Sequence, residues 1–412
     1  MVSMQKQKTF FGLAAIFFVA ILFRLWITHL VPQPFIFDQT EYEYYARKIF
    51  SAPFMLAAHT YRSYPYPLML AYIYKVVGFG NHSVIFAVQA VLDSFTGLLI
   101  FFILRLVGKS RAAWIGFILY SVNPLTAAYT GVILSETLST FLIAATLFTG
   151  LLLIKKPSIY MGLLFGMIAG MSVQTRNAML TASVVIVGSM WFWISWKAHK
   201  RVYLAIFIGL ILTVLYPLYT NWVAYHEITI FKVDSFYAIE LFNGATLKIL
   251  PPFTTALPPA QQTLFNEYWS EYSPTRTAAD RQAMAKKYFD KAIAVIKGDP
   301  VDYIYWRFYK MWHVWQKENI YSYSEPGFES HRQITFWGNT VLLALAFMGI
   351  VFTFMRQRKQ RLSWLLIVSV GTLALQTFAL CFSFAEHRLS IPLYPIIFLY
   401  AALALDTLPI VL

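Results

Sequence analysis

Charge is scarce in this sequence. Only 13% of its 412 residues are Asp, Glu, Lys or Arg, whereas a soluble globular domain has roughly 25%. Hydrophobic residues make up 58% of the chain, so there is too little polar surface to cover a globule in water. The composition therefore excludes a soluble domain. It predicts an all-α polytopic membrane protein, in which apolar stretches of about 20 residues cross the bilayer as helices.

Cysteine is also nearly absent, because Cys381 is the only one. A single thiol excludes an internal disulfide bond and a metal site built from several thiolates. Cysteine usage therefore gives no information about the redox compartment. A secretory signal peptide is not expected either, since residues 9–30 have the length of a retained span and no small-x-small cleavage site follows them.

The charge that is present is mostly basic, with 33 Lys and Arg against 19 Asp and Glu and a formal net charge of +14. Its placement argues against nucleic acid as a partner, because fourteen of the basic residues lie in five short clusters between apolar stretches. This is the positive-inside pattern, so the clusters predict the cytoplasmic face of the membrane. The clusters are Lys6 and Lys8; Arg105, Lys109 and Arg111; Lys155 and Lys156; Lys197, Lys200 and Arg201; and Arg356, Arg358, Lys359 and Arg361.

The number of spans between two clusters on the same side must be even. Residues 67–77 are therefore predicted to lie as a helix at the outer interface, and they are also too few to cross. The count gives about ten spans in a plasma membrane, with both termini in the cytoplasm. The predicted spans are residues 9–30, 84–107, 112–129, 136–154, two within 159–196, 202–223, 334–354, 362–384 and 391–412.

Three regions follow from this map. Residues 1–223 are expected to form an N-terminal transmembrane module whose first outer loop is 31–83. Residues 224–333 form a helical extracytoplasmic subdomain, and residues 334–412 form the C-terminal transmembrane helices. Within the subdomain, Asp299 before a proline predicts the start of a helix rich in Trp and Tyr. Such a stripe favours packing or a membrane interface over a platform for a sugar.

Ionisable residues collect where the predicted spans end on the outer side. A carboxylate there can accept a proton, and a guanidinium can bind a phosphate. The set therefore suits an acid–base reaction on an anionic group that is carried by a lipid. The residues are Asp38, Glu41, Glu43 and Arg62 in the first outer loop, Glu136 and Arg176 at the second and third outer turns, and His387 and Arg388 at the last.

Motifs at these positions resemble those of a family of membrane enzymes. The pattern Asp38-x3-Tyr42-x3-Ala46 is similar to the first-loop motif of the GT-C glycosyltransferases related to protein O-mannosyltransferases and to the lipid A aminoarabinose transferase. The next stretch carries Arg62 and Tyr66 where these enzymes have Arg-Pro-Pro-Gly-Tyr-Pro. Further similar stretches are NPLTAAYTGVILSETLSTFL with Glu136, GLLFGMIAGMSVQTRNAML with Arg176, and HRLSIPLYP, which begins with His387 and Arg388.

The resemblance implies transfer of a sugar from a polyprenyl-phosphate donor to a glycan, lipid or protein acceptor outside the cytoplasm, with inversion at the anomeric carbon. Two carboxylates are the catalytic candidates. Asp38 is the expected general base, and Glu136 is expected to bind the sugar, orient the acceptor or help to hold a divalent ion. The donor is a substrate, so neither a cofactor nor a protein-bound metal is expected to be required. The residues expected to bind substrate are Tyr42, Arg62, Tyr66, Arg176, His387 and Arg388.

Some of these residues have structural alternatives. Asp38 can instead serve as the N-cap of the helix that follows it, although partial desolvation is expected to make its carboxylate more basic than in water. Glu41 and Glu43 are expected to solvate a helix face. Arg24 in the first span and Asp93 in the next are expected to form a structural ion pair rather than to contact a substrate.

Two other functions remain open at this stage. A polyprenyl-linked glycan polymerase shares the span count, the basic charge and the long outer loop, but typically places arginines rather than an early aspartate at its reaction centre. A transporter or flippase needs ionisable residues along a pathway near mid-membrane, where Arg24 and Asp93 are the few candidates. Inverted repeats between the two halves, which favour transport, are not found in the sequence.

The span map predicts which positions an impermeant reagent reaches. In a Cys381→Ser background, single cysteines introduced by Asn81→Cys and Glu325→Cys should react with an impermeant maleimide added to intact cells. Lys359→Cys should react only after the membrane is opened, because position 359 belongs to a cytoplasmic basic cluster. Labelling of position 359 in intact cells would contradict the ten-span map.

Overall fold

A computed structural model describes residues 2–52, 62–230, 236–247, 278–318, 329–356, 360–382 and 386–408, together with Thr263 and Asn266. The regular secondary structure in this part of the chain is helical, as predicted. The α-helices are α1 (Val2–Leu30), α2 (Asp38–Ser51), α3 (Pro65–Val77), α4 (His82–Leu106), α5 (Ser110–Ser121), α6 (Pro124–Ala128), α7 (Glu136–Lys155), α8 (Ile159–Thr175), α9 (Leu180–Trp193), α10 (Trp196–Tyr225), α11 (Phe236–Thr246), α12 (Ala278–Gly298), α13 (Pro300–His313), α14 (Glu329–Arg356), α15 (Gln360–Leu380) and α16 (Tyr394–Thr407). The 3₁₀ helices are Tyr129–Gly131, Asn177–Met179 and His387–Leu393.

Seven helical segments of the described chain are long and apolar enough to cross a membrane, so the protein is a multi-pass membrane protein. α8 and α9 are apolar but shorter, and they are separated by a 3₁₀ helix where the sequence predicts a break. The ten-span map and the sidedness of the chain stay predictions. The seven segments are Gln7–Leu30, His82–Leu106, Glu136–Lys155, Trp196–Val223, Arg332–Arg356, Gln360–Leu380 and His387–Thr407.

The predicted span 112–129 is broken, so the expectation of one continuous helix there is wrong. α5 ends at Ser121, and α6 begins at Pro124. A proline has no backbone N–H and fits only the first turn of a helix. Asn123 caps this new helix, because its side chain accepts a hydrogen bond from the Thr126 N–H at 3.1 Å.

A buried ion pair stabilises this break. Arg24 on α1 is fully buried, and its Nε lies 2.7 Å from Oδ2 of Asp93 on α4, as the sequence predicts. The same guanidinium donates hydrogen bonds to the carbonyl oxygens of Ser121 at 3.0 Å and Tyr120 at 3.3 Å. These carbonyls belong to the last turn of α5 and have no acceptor role within the helix. Arg24 therefore neutralises Asp93 and caps α5 at once.

Glycines allow the closest helix contacts. Gly166 on α8 faces the backbone of Ile206 on α10, and Gly209 on α10 faces the backbone of Leu163 on α8, so a Cβ at either glycine would collide with main-chain atoms. Small residues let two membrane helices approach at backbone distance, where van der Waals contact is densest. The α8–α10 pair is accordingly one of the most extensive helix contacts in the described chain.

The described part of the predicted outer subdomain is helical, as expected, and has its own small core. Phe242 of α11 packs edge-on against Tyr288 of α12, with ring centroids 5.1 Å apart. Asp299 caps α13 by accepting a hydrogen bond from the Asp302 N–H at 2.9 Å, as its position before a proline predicts.

α13 buries cations and exposes aromatic side chains. Arg307 and Lys310 are buried, and both donate to the carbonyl oxygen of Gly244 near the end of α11. Cations at the C-terminal end of a helix complement its dipole, so these two contacts have a structural explanation. Phe308 and Trp312 on the opposite face are exposed. An exposed aromatic face suits a membrane interface, and this location stays a prediction.

The Arg24–Asp93 pair generates a stability prediction. Arg24→Met leaves the buried Asp93 carboxylate without its counterion and removes the hydrogen bond that Arg24 donates to the carbonyl oxygen of Ser121. Removing one partner of a buried pair typically costs about 3–5 kcal/mol, so the midpoint of thermal unfolding in detergent should fall markedly. The double variant Arg24→Met/Asp93→Leu should recover part of the loss, because no unpaired charge remains. An Arg24→Met protein as stable as the parent would contradict this account.

Candidate active site

A network of ion pairs connects residues that are far apart in the sequence. It joins the start of α2, the segment before α3, the start of α7, the end of α8 and the C-terminal 3₁₀ helix His387–Leu393. Five of the eight predicted site residues belong to it. These are Asp38, Arg62, Glu136, Arg176 and Arg388.

Asp38 lies at the centre of one half of the network. Its Oδ1 accepts a hydrogen bond from Arg62, and its Oδ2 lies 2.8 Å from Nη2 of Arg388. Arg62 also donates through Nε to Glu41 at 2.7 Å. Both oxygens of the Asp38 carboxylate are therefore held by guanidinium groups, one from the segment before α3 and one from the 3₁₀ helix His387–Leu393.

Glu136 lies at the centre of the other half. It is buried in the first turn of α7, and its Oε1 lies 2.5 Å from Nη1 of Arg176 and 3.8 Å from Nε of Arg388. A carboxylate at a helix N-terminus is further stabilised by the helix dipole. Arg388 also pairs with Glu386, so one guanidinium contacts both catalytic candidates and a third carboxylate. Arg388 is thus the residue that connects the two halves.

The start of α2 shows that Asp38 is not a helix cap. Asp38 is the first residue of α2, and the N-cap position is Phe37, which makes no side-chain capping hydrogen bond. The structural alternative for Asp38 is therefore wrong. Phe37 has a φ of +52°, in the left-handed region that a residue with a side chain rarely adopts. Strain of this kind collects at functional sites, and here it precedes the carboxylate directly.

The pKa of Asp38 differs from the expectation. Burial acts to raise the pKa, but the positive charges of Arg62 and Arg388 and their hydrogen bonds outweigh burial and hold the pKa of Asp38 well below its ordinary value. The expectation of a carboxylate more basic than in water is therefore wrong for this arrangement. The position of Asp38 beside a predicted span indicates desolvation, which raises the pKa. The sequence does not show the contacts with two guanidinium groups, which lower it.

The two predicted tyrosines lie beneath these ions. The Tyr42 ring lies under the Arg62 guanidinium, 5.0 Å from ring centroid to Cζ, and its hydroxyl donates to Ser135 at 3.0 Å. The Tyr66 ring meets the Tyr42 ring edge-on at 4.9 Å, and its fully buried hydroxyl donates to Gln89 at 2.8 Å. Tyr42 therefore contacts the network directly through Arg62, whereas Tyr66 packs against the Tyr42 ring. Their substrate-binding roles stay predictions.

Two glutamines that the sequence reasoning did not single out hold the chain before α7. Gln89 donates to the carbonyl oxygens of Thr130 at 3.0 Å and Val132 at 2.8 Å, and the Gln39 side chain accepts from the Ile133 N–H at 3.0 Å. Both glutamines are buried. Gln89 could have been singled out from the sequence, because an amide inside an apolar span needs hydrogen-bond partners to avoid an unsatisfied polar group.

Glu43 is not on a solvated face, so that expectation is wrong for Glu43, whereas 39% of the Glu41 side chain is exposed. Glu41 pairs with Arg62, as described above. Glu43 is buried, lies 3.3 Å from Nε2 of His82 and 3.7 Å from Arg47, and takes no part in the network. Local sequence indicates that Glu43 on a short helix is exposed to water, because it does not show that His82 on α4 contacts this carboxylate.

His387 does not join the arginines. Its ring packs against His313 at the end of α13, with centroids 4.2 Å apart. Its Nδ1 atom is buried and makes no hydrogen bond to any residue that the structure describes. The predicted contact of His387 with phosphate stays a prediction. The described residues also contain no group of three or more His, Cys, Asp or Glu side chains placed to hold a metal ion.

No family model matches the chain, and no curated relative does. The structure is similar to that of the oligosaccharyltransferase AglB from Archaeoglobus fulgidus in complex with an inhibitory peptide and a dolichol-phosphate, with a TM-score of 0.51, 14% identity, and coverage of 96% of this chain and 50% of that chain. The apo form of the oligosaccharyltransferase from the same organism gives a TM-score of 0.50, 14% identity, and coverage of 95% and 50%. ArnT from Cupriavidus metallidurans in the apo state aligns at a TM-score of 0.39, too low to support an argument, with 15% identity and coverage of 92% and 78%.

These comparisons define a class by fold. The chain has the polytopic helical fold of the archaeal oligosaccharyltransferase over the part that aligns. It spans about half the length of the archaeal oligosaccharyltransferase. At such low sequence identity the likeness establishes the fold alone, because one fold supports many activities. The chemistry of the ion-pair network is therefore the evidence that bears on activity.

Proposed function

We propose that this protein transfers a sugar from a polyprenyl-phosphate donor to an acceptor hydroxyl of a glycan, lipid or protein on the extracytoplasmic side of the membrane. The observation that carries the proposal is the Asp38 carboxylate between Arg62 and Arg388, with Arg388 extending to Glu136. This arrangement places a proton acceptor beside groups that bind phosphate. The fold supports it, since the similar archaeal structure was solved with a dolichol-phosphate.

The donor phosphate is assigned to Arg388 and Arg176. A guanidinium has five N–H donors, so Arg388 can bind a phosphate oxygen while Glu386 still holds its Nε side. A phosphate at Arg388 competes with the Asp38 carboxylate for the same cation. Positive charge there also offsets the charge that builds up on the leaving phosphate as the glycosidic bond breaks.

Donor binding then activates Asp38. Once the phosphate shares the charge of Arg388, Asp38 keeps its burial but loses part of the attraction that lowers its pKa, so its pKa rises. The carboxylate takes the proton of the acceptor hydroxyl, and the acceptor oxygen forms a bond to the anomeric carbon. The bond from that carbon to the phosphate oxygen breaks, and the phosphate leaves with the electron pair. Attack in one step from the opposite face inverts the anomeric centre.

Glu136 orients the two phosphate-binding arginines in this scheme. Its Oε1 contacts both Arg176 and Arg388, so it fixes the distance between them. A further role in binding the sugar or the acceptor belongs to the same proposal. The scheme requires no cofactor, because guanidinium groups supply the charge that compensates the phosphate.

The rival functions gain no support from the described residues. Transport needs ionisable groups that line a pathway, yet Arg24 and Asp93 are buried and engaged in holding α5. A glycan polymerase does not account for a carboxylate at the centre of the arginines. The acid in the first outer loop therefore favours sugar transfer to an acceptor hydroxyl.

Asp38→Asn tests the general base. The amide keeps the shape of the carboxylate but cannot take the acceptor proton, so turnover should fall by about 10²–10⁴. Donor binding should not weaken, because a negative charge beside the phosphate is removed. The measurement is the transfer of radiolabelled sugar from a polyprenyl-phosphate donor in membranes, and donor binding is measured separately. Repeating the transfer assay with a chelator tests whether a divalent ion is needed.

Glu43→Gln is the matched control for this test, since Glu43 lies on the same helix outside the network and its variant should remain active. Asp38→Asn with turnover near that of the parent would refute the catalytic assignment.

Arg176→Lys and Arg388→Lys test the phosphate assignment. Lysine keeps the charge but lacks the planar fork that binds phosphate through two hydrogen bonds. A hydrogen bond to a charged group contributes about 1.5–3 kcal/mol, so the donor KM should rise roughly tenfold to a hundredfold. Arg47→Lys, an exposed arginine in the same outer loop, should leave it unchanged. Normal donor KM in both site variants would place the phosphate elsewhere.

A further inference from the structure

Lys317 is a buried cation outside the ion-pair network. It follows α13 on the chain and is 2% exposed. It forms no ion pair with the carboxylates that the structure describes, and burial lowers the pKa of Lys317 well below its ordinary value. Burying an ammonium group costs several kcal/mol unless hydrogen bonds compensate it.

Three oxygen acceptors surround the Lys317 ammonium. Nζ donates to the carbonyl oxygen of Val314 at 2.9 Å, to the hydroxyl of Ser390 at 2.7 Å and to the carbonyl oxygen of His387. The Ser390 hydroxyl in turn donates to Val314 at 2.7 Å. All three donors of the ammonium are used, so the contact is complete.

Two of these acceptors lie on either side of Arg388. His387 directly precedes it, and Ser390 follows two residues later in the same 3₁₀ helix. This helix needs an external support, because 3₁₀ hydrogen bonds have poorer geometry than α-helical ones and runs beyond three or four residues are uncommon. Pro392 lies within it and donates no backbone hydrogen bond. Lys317 supplies this support by donating hydrogen bonds to His387 and Ser390, in the first half of the 3₁₀ helix that carries Arg388.

Besides the contact of the His313 ring with His387, two further hydrogen bonds anchor this region, and both lie farther from Arg388. The carbonyl oxygen of Trp315 accepts from the Asn339 side chain at 2.8 Å, and the Tyr394 hydroxyl donates to the same asparagine at 2.5 Å. These bonds tie the chain after α13 to α14 and α16. They should hold the fold when Lys317 is replaced, but they do not contact the residues beside Arg388.

We propose that Lys317 is a positioning residue that sets the register of Arg388 against Asp38 and Glu136. It thereby couples the region after α13 to the site that binds the donor phosphate. This inference rests on the proposed function, because it assigns to Lys317 an effect on the donor through Arg388. Displacing a binding group by about 1 Å can cost on the order of 10²-fold in rate.

Lys317→Met is the test variant, because methionine has a similar length and no charge. Its kcat/KM for the polyprenyl-phosphate sugar should fall roughly tenfold to a hundredfold. Ser390→Ala removes one of the three acceptors and should produce a smaller loss in the same direction. It keeps the proposal testable even where Lys317→Met fails to fold. Both are measured in membranes together with the midpoint of thermal unfolding.

Lys310→Met is the matched control. Lys310 is also a buried lysine of the same region, but it donates to Gly244 on α11 and not to the helix that carries Arg388. Its variant should lose stability without a selective loss in kcat/KM for the donor. An equal loss of kcat/KM in Lys310→Met and Lys317→Met would show a general effect of destabilisation and would overturn the positioning role.

A double-mutant cycle with Arg388→Ala decides whether Lys317 acts through Arg388. In the Arg388→Ala background, Lys317→Met should cause no further loss of kcat/KM, because the group that it positions is absent. Losses that multiply would overturn the inference while leaving the proposed function intact. If Arg388→Ala alone leaves kcat/KM for the donor unchanged, the assignment of the phosphate fails instead.

Discussion

The contact between Asp38 and Arg388 is the interaction on which the site depends. It joins a carboxylate at the start of α2 to a guanidinium in the 3₁₀ helix His387–Leu393. Both groups are partly desolvated, so each needs opposite charge close by, and Arg62 and Glu386 also supply it. The surrounding structure fixes the two ends of this contact. The strained backbone of Phe37 sets the start of α2, and buried glutamines hold the chain before α7. Lys317 holds the helix that carries Arg388.

Much of the site follows from the sequence, because charge is so scarce. A charged side chain at the end of a span needs an opposite charge nearby. Most of the ionisable residues lie at one side of the predicted spans, so they are the partners available to one another. Asp38, Arg62, Glu136, Arg176 and Arg388 are accordingly brought together. Their pairing was less predictable. Each arginine contacts a carboxylate from another element, and the choice between carboxylates depends on tertiary distances that hydropathy and motif spacing do not contain.

The incorrect expectations have two origins. The break in the predicted span 112–129 has a local cause, because Pro124 begins a new helix that Asn123 caps. A count of apolar residues does not register this cause. The burial of Glu43 and the lowered pKa of Asp38 depend instead on partners from other elements, His82 for Glu43 and Arg62 and Arg388 for Asp38. Local sequence does not contain these contacts.

The last helix has a consequence for how the protein is made. α16 is buried along most of its length and packs against α5 and α14, so it occupies the interior of the described helices although it follows them in the chain. Arg388 precedes this helix directly. During translation Asp38 and Glu136 are therefore synthesised before Arg388, their partner in the ion-pair network. Completion of that network requires α16 to pack against helices that precede it in the chain, so assembly of the site depends on the last of its segments to be made.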